Sequence, residues 1–271
     1  SSALEIVDLS LVETHISNKN NDNKRKLIWL ETPKNPTCSQ EDIAHYAALA
    51  KQLGNTQVVV DSTFATPVLQ CPLKLGANIV LHSTTKFLNG HSDSLGGSLC
   101  TKSEEVYRSL KRERSVIGNV MGVMESYLLL RSLRTLTIRV ERQAQNAQVV
   151  AEWLASQIQN DETNKRISMV HYPTLKQLHP KDWEICQKQM NGKGPGILSF
   201  ELDSKESVTP FLKNLKLVVY ATSLGGHETL IDYRYKWDQN QPPSLLRLSI
   251  GLESPNDVIA DLKYALVNIG K

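Results

Sequence analysis

Short apolar runs alternate with polar segments through the first hundred residues. Four apolar runs have the length of a strand: 27–30, 58–61, 79–82 and 97–101. Between the first two runs, apolar residues recur at helical spacing and predict a helix that begins at Ser39 and ends at Gly54. A strand–helix–strand order is typical of parallel strands joined by right-handed crossovers. The pattern therefore predicts an α/β fold.

The pattern changes after residue 103. Residues 103–159 are periodic at helical spacing, and the last part, 135–159, is predicted to be a helix that links two domains. Four polar residues of this helix are expected to be exposed: Arg139, Glu141, Arg142 and Gln145. Further on, strands are predicted at 167–171, 196–202, 217–220 and 246–250, and helices at 204–214 and 255–269. This mixture predicts a small α+β domain.

A lysine stands just past the third predicted strand. Lys86 follows the hydroxyl residues Ser83 and Thr85. Burial lowers the pKa of a lysine and leaves an amine that can attack a carbonyl, and hydroxyl groups suit a phosphate. Asp61 ends the preceding strand, so both residues point to one crevice, where an aspartate can pair with a protonated pyridine nitrogen. Pyridoxal 5'-phosphate (PLP) fits this set; the alternatives are a surface lysine and an aspartate that caps a strand end.

The composition argues against several other classes of protein. The chain has 271 residues, of which 40% are hydrophobic and 22% charged, with a formal net charge of +3. This charge gives no case for binding nucleic acid, and no apolar run approaches the roughly 20 residues of a membrane span. The four cysteines lack the close spacing of a zinc motif, so we expect no metal site. We also expect a reducing, cytoplasmic location.

Five segments together resemble the PLP-dependent Cys/Met-metabolism enzymes, a family that includes cystathionine γ-synthase, γ-lyase and β-lyase. The segments are residues 31–36 (ETPKNP), 60–64 (VDSTF), 83–87 with 89–93 (STTKF and NGHSD), 223–226 (SLGG) and 246–253 (LRLSIGLE). They occur in the family's order and spacing and extend over almost the whole chain. Each segment alone is a weak signal, but five in order are a strong one.

The resemblance implies a set of cofactor-binding residues. They are Lys86, Asp61, Asn35, Ser83, Thr85 and Thr63. In this family the residue matching Lys86 is catalytic and forms a Schiff base with PLP, and the residue matching Asp61 pairs with the pyridine nitrogen. Asn35 is expected to contact the ring's phenolic oxygen, Thr63 a ring face, and the two remaining hydroxyls the phosphate. Asn35 and Thr63 also fit ordinary turn residues.

The resemblance also implies two substrate-binding residues, Arg247 and Ser223. Arg247 lies in an apolar strand, where a buried guanidinium needs a partner, and the family uses it for the α-carboxylate of the substrate. An internal salt bridge is the alternative. Leu224 favours γ chemistry, because the β-lyases tend to carry tryptophan there, whereas Thr222 departs from the glutamate of some relatives and leaves the substrate open.

The implied architecture is the aspartate-aminotransferase-like (type I) PLP fold. It comprises a large PLP-binding domain with a parallel sheet over residues 1–134, a linking helix over 135–159 and a small α+β domain over 160–271. Family members carry a longer N-terminal part before the point at which this chain begins. We therefore expect a truncated large domain that contains only its C-terminal portion.

The implied activity is transsulfuration, in which cystathionine is made or cleaved by γ-replacement or γ-elimination. The alternatives are a cystathionine β-lyase or related sulfur amino-acid lyase, and a catalytically inactive remnant or fragment of the PLP fold. The implied partners are sulfur amino acids such as cystathionine, cysteine and an activated homoserine. A homo-oligomer, usually a tetramer, is expected, without nucleic-acid or membrane partners.

Overall fold

A computed structural model describes residues 25–163 and 165–270. The first 24 residues of the predicted large domain lie outside this range. Two sheets and eight helices make up the part described. None of these helices is long and apolar enough to cross a bilayer.

The first sheet contains the four strands predicted in the first hundred residues. They are β1 (Lys26–Glu31), β2 (Thr56–Asp61), β3 (Ile79–Ser83) and β4 (Gly97–Thr101). The strands lie in the order β1-β2-β3-β4; the first three are parallel, and β4 runs antiparallel to β3. The predicted parallel arrangement is therefore confirmed, and it brings the carboxyl ends of three strands to one edge.

Helix α1 (Ile43–Leu53) connects β1 to β2 but begins later than predicted. Its N-cap is Asp42, which accepts a hydrogen bond from the His45 amide at 3.1 Å; Ser39 does not cap it. The residues before Asp42 are held elsewhere, since the Gln40 amide donates to the Asp182 carboxylate at 2.8 Å. A short helix, α2 (Thr66–Leu69), follows β2.

Three helices occupy the region predicted to be helical. They are α3 (Glu104–Ile117), α4 (Val123–Leu133) and α5 (Leu136–Ser156). In α5, Glu141, Arg142 and Gln145 are exposed as predicted. The prediction for Arg139 is wrong, because this residue is only 6% exposed. It lies on the buried stripe of α5, where carbonyl oxygens accept hydrogen bonds from its guanidinium.

The second sheet contains five strands in the order β5-β6-β9-β8-β7. They are β5 (Ile167–His171), β6 (Ile197–Leu202), β7 (Val219–Tyr220), β8 (Leu230–Tyr233) and β9 (Leu245–Ser249). All neighbouring pairs are antiparallel except β7 and β8, which are parallel. Helices α6 (Pro180–Gln189), α7 (Val208–Asn214) and α8 (Pro255–Val267) complete the fold.

The sequence pattern missed two elements of this second half, β8 and α6. Strand β8 has only four residues, and Asp232 interrupts its apolar character. Helix α6 is rich in charged and polar residues, and only Ile185, Cys186 and Gln189 are buried. The division of the chain into domains at residues 134 and 159 stays a prediction.

Apolar packing connects α5 to the lysine segment and to the second sheet. Its later residues Val150 and Leu154 pack into the core of the second sheet. Its earlier residues Leu136 and Val140 pack in a separate cluster with Phe87, which directly follows Lys86. The helix therefore supports the lysine segment and the second sheet at once.

Asp261 in α8 accepts three backbone hydrogen bonds, and its replacement should destabilise the second half. Its carboxylate oxygens accept from the amides of Lys216, Leu217 and Val218, each at 2.9 Å, and the residue is 8% exposed. Asp261→Asn turns one acceptor into a donor facing amide donors, which is expected to cost about 2–3 kcal/mol in the free energy of unfolding. Urea denaturation followed by circular dichroism measures this loss. The exposed Asp257 in the first turn of the same helix provides the control, and Asp257→Asn should cost at most about 1 kcal/mol. Equal losses in the two variants would contradict the assignment.

Candidate active site

Polar residues end the three parallel strands of the first sheet at one edge. Strand β1 ends at Glu31, β2 at Asp61 and β3 at Ser83, and Glu31 lies opposite Asp61 in the β1–β2 register. Burial raises the pKa of Glu31, and the nearby Asp61 carboxylate adds to this effect. Ligands of open parallel sheets bind at this edge.

Lys86 lies in a helical turn, Thr84–Leu88, that directly follows β3. The backbone of Lys86 interrupts the turn, with φ −90° and ψ −130°. The side chain is half-buried, and no hydrogen bond from the described residues reaches its amine. Burial lowers the pKa of Lys86, and the positive charge of Arg247 lowers it further. The turn therefore presents an amine that loses its proton more easily than an ordinary lysine.

Asp61, Thr63 and Ser83 form a chain of hydrogen bonds between β2 and β3. The Asp61 Oδ1 accepts from the Thr63 amide at 2.9 Å and from its hydroxyl at 2.6 Å, and the Thr63 Oγ1 accepts from the Ser83 amide at 2.9 Å. Both bonds to Asp61 reach the same oxygen, so within the described residues its Oδ2 has no donor. The carboxylate is thus held in one orientation with one oxygen open.

The hydroxyls near Lys86 differ in how far they are already engaged. The Thr85 Oγ1 donates to the Gly96 carbonyl at 3.3 Å and accepts from the Gly96 amide at 3.0 Å. No described residue bonds the Ser83 hydroxyl. The buried hydroxyl of Thr84, which the sequence reasoning did not select, has no hydrogen-bond partner either. Ser83 and Thr84 therefore have more capacity for a ligand than Thr85.

Arg247 in β9 reaches from the second sheet to the loop after β1. It is 2% exposed, and its guanidinium donates to Asn35 Oδ1 at 3.1 Å and to the carbonyls of Thr222 at 2.7 Å and Ser223 at 3.3 Å. Its Nε has no partner. Burial lowers the pKa of Arg247 to about 10, against the opposing effect of Asp232. The contact with Asn35 brings predicted cofactor and substrate residues together.

An internal salt bridge, the alternative considered for Arg247, is also present. Asp232 lies opposite Arg247 in the β8–β9 register, and its Oδ2 lies 3.2 Å from Arg247 and 3.0 Å from Arg234. One carboxylate is thus shared by two guanidinium groups. The sequence reasoning missed Asp232, although an acidic residue within an apolar strand is itself a signal of a buried partner.

The segment Ser223–Gly226 packs directly against the turn Thr84–Leu88, which contains Lys86 and is called the lysine turn below. Gly225 has φ +77°, and a Cβ there would lie 2.6 Å from the Phe87 amide nitrogen and 3.0 Å from the Lys86 carbonyl carbon. The Gly225 amide donates to the Ser249 hydroxyl of β9 at 2.8 Å. The absence of a side chain at Gly225 therefore allows the close approach of the two backbone segments. Leu224 is buried beside Phe87 in the same apolar cluster.

Within the described residues, no group of three or more His, Cys, Asp or Glu side chains is arranged to hold a metal ion. The predicted site residues form two connected sets. Asp61, Thr63 and Ser83 make one, and Asn35, Arg247 and Ser223 make the other. Lys86 and Thr85 lie in the turn that follows Ser83.

A parallel sheet with a lysine and an aspartate at its carboxyl edge is the arrangement expected for the large domain of a type I PLP-dependent enzyme. Residues 3–267 match the family model for Cys/Met metabolism PLP-dependent enzymes, and the chain belongs to this family. The resemblance and the predicted fold are confirmed, and PLP is the cofactor of the family.

Three similar proteins illustrate the range of relatives. Cystathionine beta-lyase of Lactococcus lactis subsp. cremoris (strain MG1363) is 41% identical over 252 residues, which cover 89% of this chain and 63% of that protein. Cystathionine gamma-lyase of Dictyostelium discoideum is 39% identical over 271 residues, or 96% of this chain and 67% of that protein. The crystal structure of metB from Corynebacterium glutamicum matches with a TM-score of 0.87 at 38% identity, covering 97% of this chain and 68% of that one. The chain thus spans less than two thirds of the length of the first of these relatives.

The contact between Gly225 and the lysine turn predicts a large effect of a single methyl group. Gly225→Ala is expected to destabilise the protein and to weaken PLP binding about tenfold or more, because the turn must move to admit the Cβ. Gly118 is a matched control, since it has φ +81° but no atom within 4 Å of its Cβ position. Gly118→Ala therefore tests backbone strain alone, at a cost of about 1 kcal/mol. Thermal unfolding and a PLP titration measure both effects, and equal PLP affinity in the two variants would refute the contact.

The environment of Lys86 predicts an unusual pH dependence of its reactivity. Because its pKa is lowered, acetylation of Lys86 by acetic anhydride should reach half its maximal rate at a lower pH than acetylation of a lysine in a short unstructured peptide added to the same sample. Arg247→Met removes a nearby positive charge and should move the Lys86 midpoint upwards. Peptide mass spectrometry across a pH series gives both midpoints, and the added peptide controls for the reagent. A Lys86 midpoint at or above that of the added peptide would contradict this account.

Proposed function

We propose that the protein is a PLP-dependent transsulfuration enzyme that makes or cleaves cystathionine by γ-replacement or γ-elimination. One observation carries this proposal: a half-buried lysine amine, which has no partner among the described residues, lies near a buried guanidinium whose positive charge lowers the pKa of the lysine. The guanidinium also bonds Asn35, at the edge where the parallel strands end. Family membership supports the same class of reaction.

The open polar groups of the site fit PLP. The Lys86 amine can hold its aldehyde carbon, the Asp61 Oδ2 can accept from a protonated ring nitrogen, and the hydroxyl of Ser83 can donate to its phosphate. The unpaired Thr84 hydroxyl is a further phosphate donor on the same turn, and the Thr85 hydroxyl can donate to the phosphate only in place of the Gly96 carbonyl. When bound, PLP supplies an electron sink for the electrons left after Cα loses a proton. The Thr63 hydroxyl is already used by Asp61 and Ser83, so we assign it to orienting Asp61.

Lys86 is well suited to move protons. General-base catalysis is most efficient when the pKa of the base lies near the working pH, and burial and Arg247 both shift Lys86 in this direction. Once the amine is released, it can take the proton from Cα and return it at a neighbouring carbon of the substrate. The turn fixes the position from which it acts.

Arg247 would bind the α-carboxylate of an amino-acid substrate, whereas Asn35, which accepts a hydrogen bond from it, stays assigned to the phenolic oxygen of the PLP ring. The fork of the guanidinium suits a carboxylate, and its Nε is buried without an acceptor. Asp232 is shared between Arg247 and Arg234, so it does not engage the whole guanidinium of Arg247. Ser223 contributes its carbonyl to the orientation of Arg247.

The choice between γ and β chemistry rests on the segment before the two glycines. Leu224 favours γ-replacement or γ-elimination, whereas relatives of similar identity are named both beta-lyase and gamma-lyase. Cystathionine β-lyase is therefore the second candidate. A homo-oligomer and a cytoplasmic location stay predictions.

The products formed from cystathionine discriminate these activities. With PLP present, γ-elimination releases cysteine and 2-oxobutyrate, whereas β-elimination releases homocysteine and pyruvate; γ-replacement would instead consume cysteine and an activated homoserine. Lys86→Ala should reduce any of these rates by at least about a thousandfold, and Lys102→Ala should not. Borohydride reduction should fix PLP on the peptide that contains Lys86. If the protein shows no turnover and no fixed adduct, the result favours the inactive-remnant alternative.

A further inference from the structure

Arg139, in the first turn of α5, is a buried cation without an acidic partner. It is 6% exposed, and within the described residues no carboxylate pairs with it. Its four hydrogen bonds all reach neutral oxygens of two segments, the lysine turn and the junction of α4 and α5. Burying a guanidinium costs several kcal/mol, so an apolar side chain would be a simpler way to fill this position.

Two of these bonds hold the end of the lysine turn. Arg139 Nη1 donates to the Phe87 carbonyl at 2.8 Å, and Nη2 donates to the Leu88 carbonyl at 3.3 Å. The amides of the next two residues, Asn89 and Gly90, bond the carbonyls of Thr84 and Lys86 instead. The guanidinium therefore supplies donors to carbonyls at the end of the turn, as a C-terminal cap does in a longer helix.

The rest of the guanidinium ties the turn to the helices. Nη2 also donates to the Ser132 carbonyl at 3.1 Å, near the end of α4, and Nε donates to the Thr135 hydroxyl at 3.2 Å. Gly90, with φ +68°, leaves the space that the guanidinium occupies, since a Cβ there would collide with Nη1. All three nitrogens of the Arg139 guanidinium therefore donate hydrogen bonds, which hold the side chain in one position.

The turn has a second contact, with the segment that contains Gly225. Gly225 packs on the backbone of Lys86 and Phe87, and its amide donates to the Ser249 hydroxyl in β9. Arg139 and Gly225 therefore hold the segment that carries Lys86 by two separate contacts. Without one of these contacts, the lysine would keep its place in the chain but lose its fixed direction.

We propose that Arg139 is a positioning residue for Lys86, which it acts on by holding the Phe87 and Leu88 carbonyls of the lysine turn. The proposal rests on the proposed role of Lys86 as the residue that binds PLP. It explains why a cation is buried where an apolar residue would fit.

The test compares four variants by two quantities: their affinity for PLP and, in the PLP-free protein, the titration midpoint of the Lys86 amine. Arg139→Gln removes the charge and most of the bonds, and Arg139→Lys keeps the charge but cannot reach all the carbonyls. Thr135→Val removes the acceptor of Nε and, with it, the hydrogen bond that the Thr135 hydroxyl donates to the Ser132 carbonyl. Arg142→Gln, an exposed arginine one turn further along α5, is the control. The readouts are PLP affinity by visible absorption and, in the PLP-free protein, the NMR titration of Lys86 after reductive methylation with labelled formaldehyde.

In Arg139→Gln and Arg139→Lys, PLP affinity should fall about tenfold or more, because the amine is no longer held in reach of its target. The Lys86 titration midpoint should rise, because a loosened turn lets the amine reach water and restores the charged form. If the Lys86 midpoint rises in Arg139→Lys, the cause is the loss of hydrogen bonds to the turn, because this variant keeps the positive charge. Thr135→Val should give a smaller change in the same direction, and Arg142→Gln none.

Other outcomes would overturn the proposal. If Arg139→Lys and Thr135→Val lower the melting temperature but leave the Lys86 midpoint and PLP affinity per folded molecule unchanged, Arg139 only stabilises the fold. The same conclusion holds if Arg139→Gln fails to fold while both milder variants titrate as the wild type. If the wild type itself does not bind PLP at Lys86, the proposed function fails, whereas the PLP-free titration still decides the role of Arg139.

Discussion

The buried guanidinium of Arg247 is the constraint on which the candidate site depends. A charge at 2% exposure requires partners, and each partner lies on a different segment: Asp232 on β8, Asn35 after β1, and the Thr222 carbonyl before the glycine segment. One side chain therefore fixes the second sheet relative to the edge of the first. Removing the Asp232 carboxylate would leave the Arg247 guanidinium buried without its acidic partner, which is more costly than never having buried the pair.

The same guanidinium also controls the chemistry of Lys86. Its positive charge and the partial burial of the turn act in one direction, since both disfavour the ammonium form of the lysine. A protein that needed only a stable fold would place these two cations further apart. Perturbed groups that meet in a cleft are typical of sites that bind or transform a ligand. Placing Lys86 near Arg247 is electrostatically unfavourable for the fold, and the same placement is what the proposed function requires.

The sequence predicted the first sheet well because its strands are short apolar runs that end on polar residues, and Lys86 and Asp61 follow from this pattern. Strand β8 was missed because Asp232 breaks its apolar run, and only its pairing with Arg247 explains this residue. The prediction that Arg139 is exposed was wrong because it followed the polar residue type and not the position of the residue in the helix. Its place on the buried stripe of α5, one turn before Gln143, was readable from the period of the helix.

The buried stripe of α5 explains how one helix can organise the whole site. Arg139, Gln143 and Asn146 follow each other on this stripe, and each donates to backbone carbonyls of a different segment. Gln143 donates to the Gly226 carbonyl at 2.6 Å, and Asn146 donates to the carbonyls of Gly251 at 3.1 Å and Glu253 at 2.8 Å, just after β9. Backbone carbonyls of irregular segments are costly to bury without donors. The polar residues on the buried stripe of α5 supply these donors. They thereby connect one helix to the turn that contains Lys86, to the segment Ser223–Gly226 and to the residues just after β9, the strand that contains Arg247.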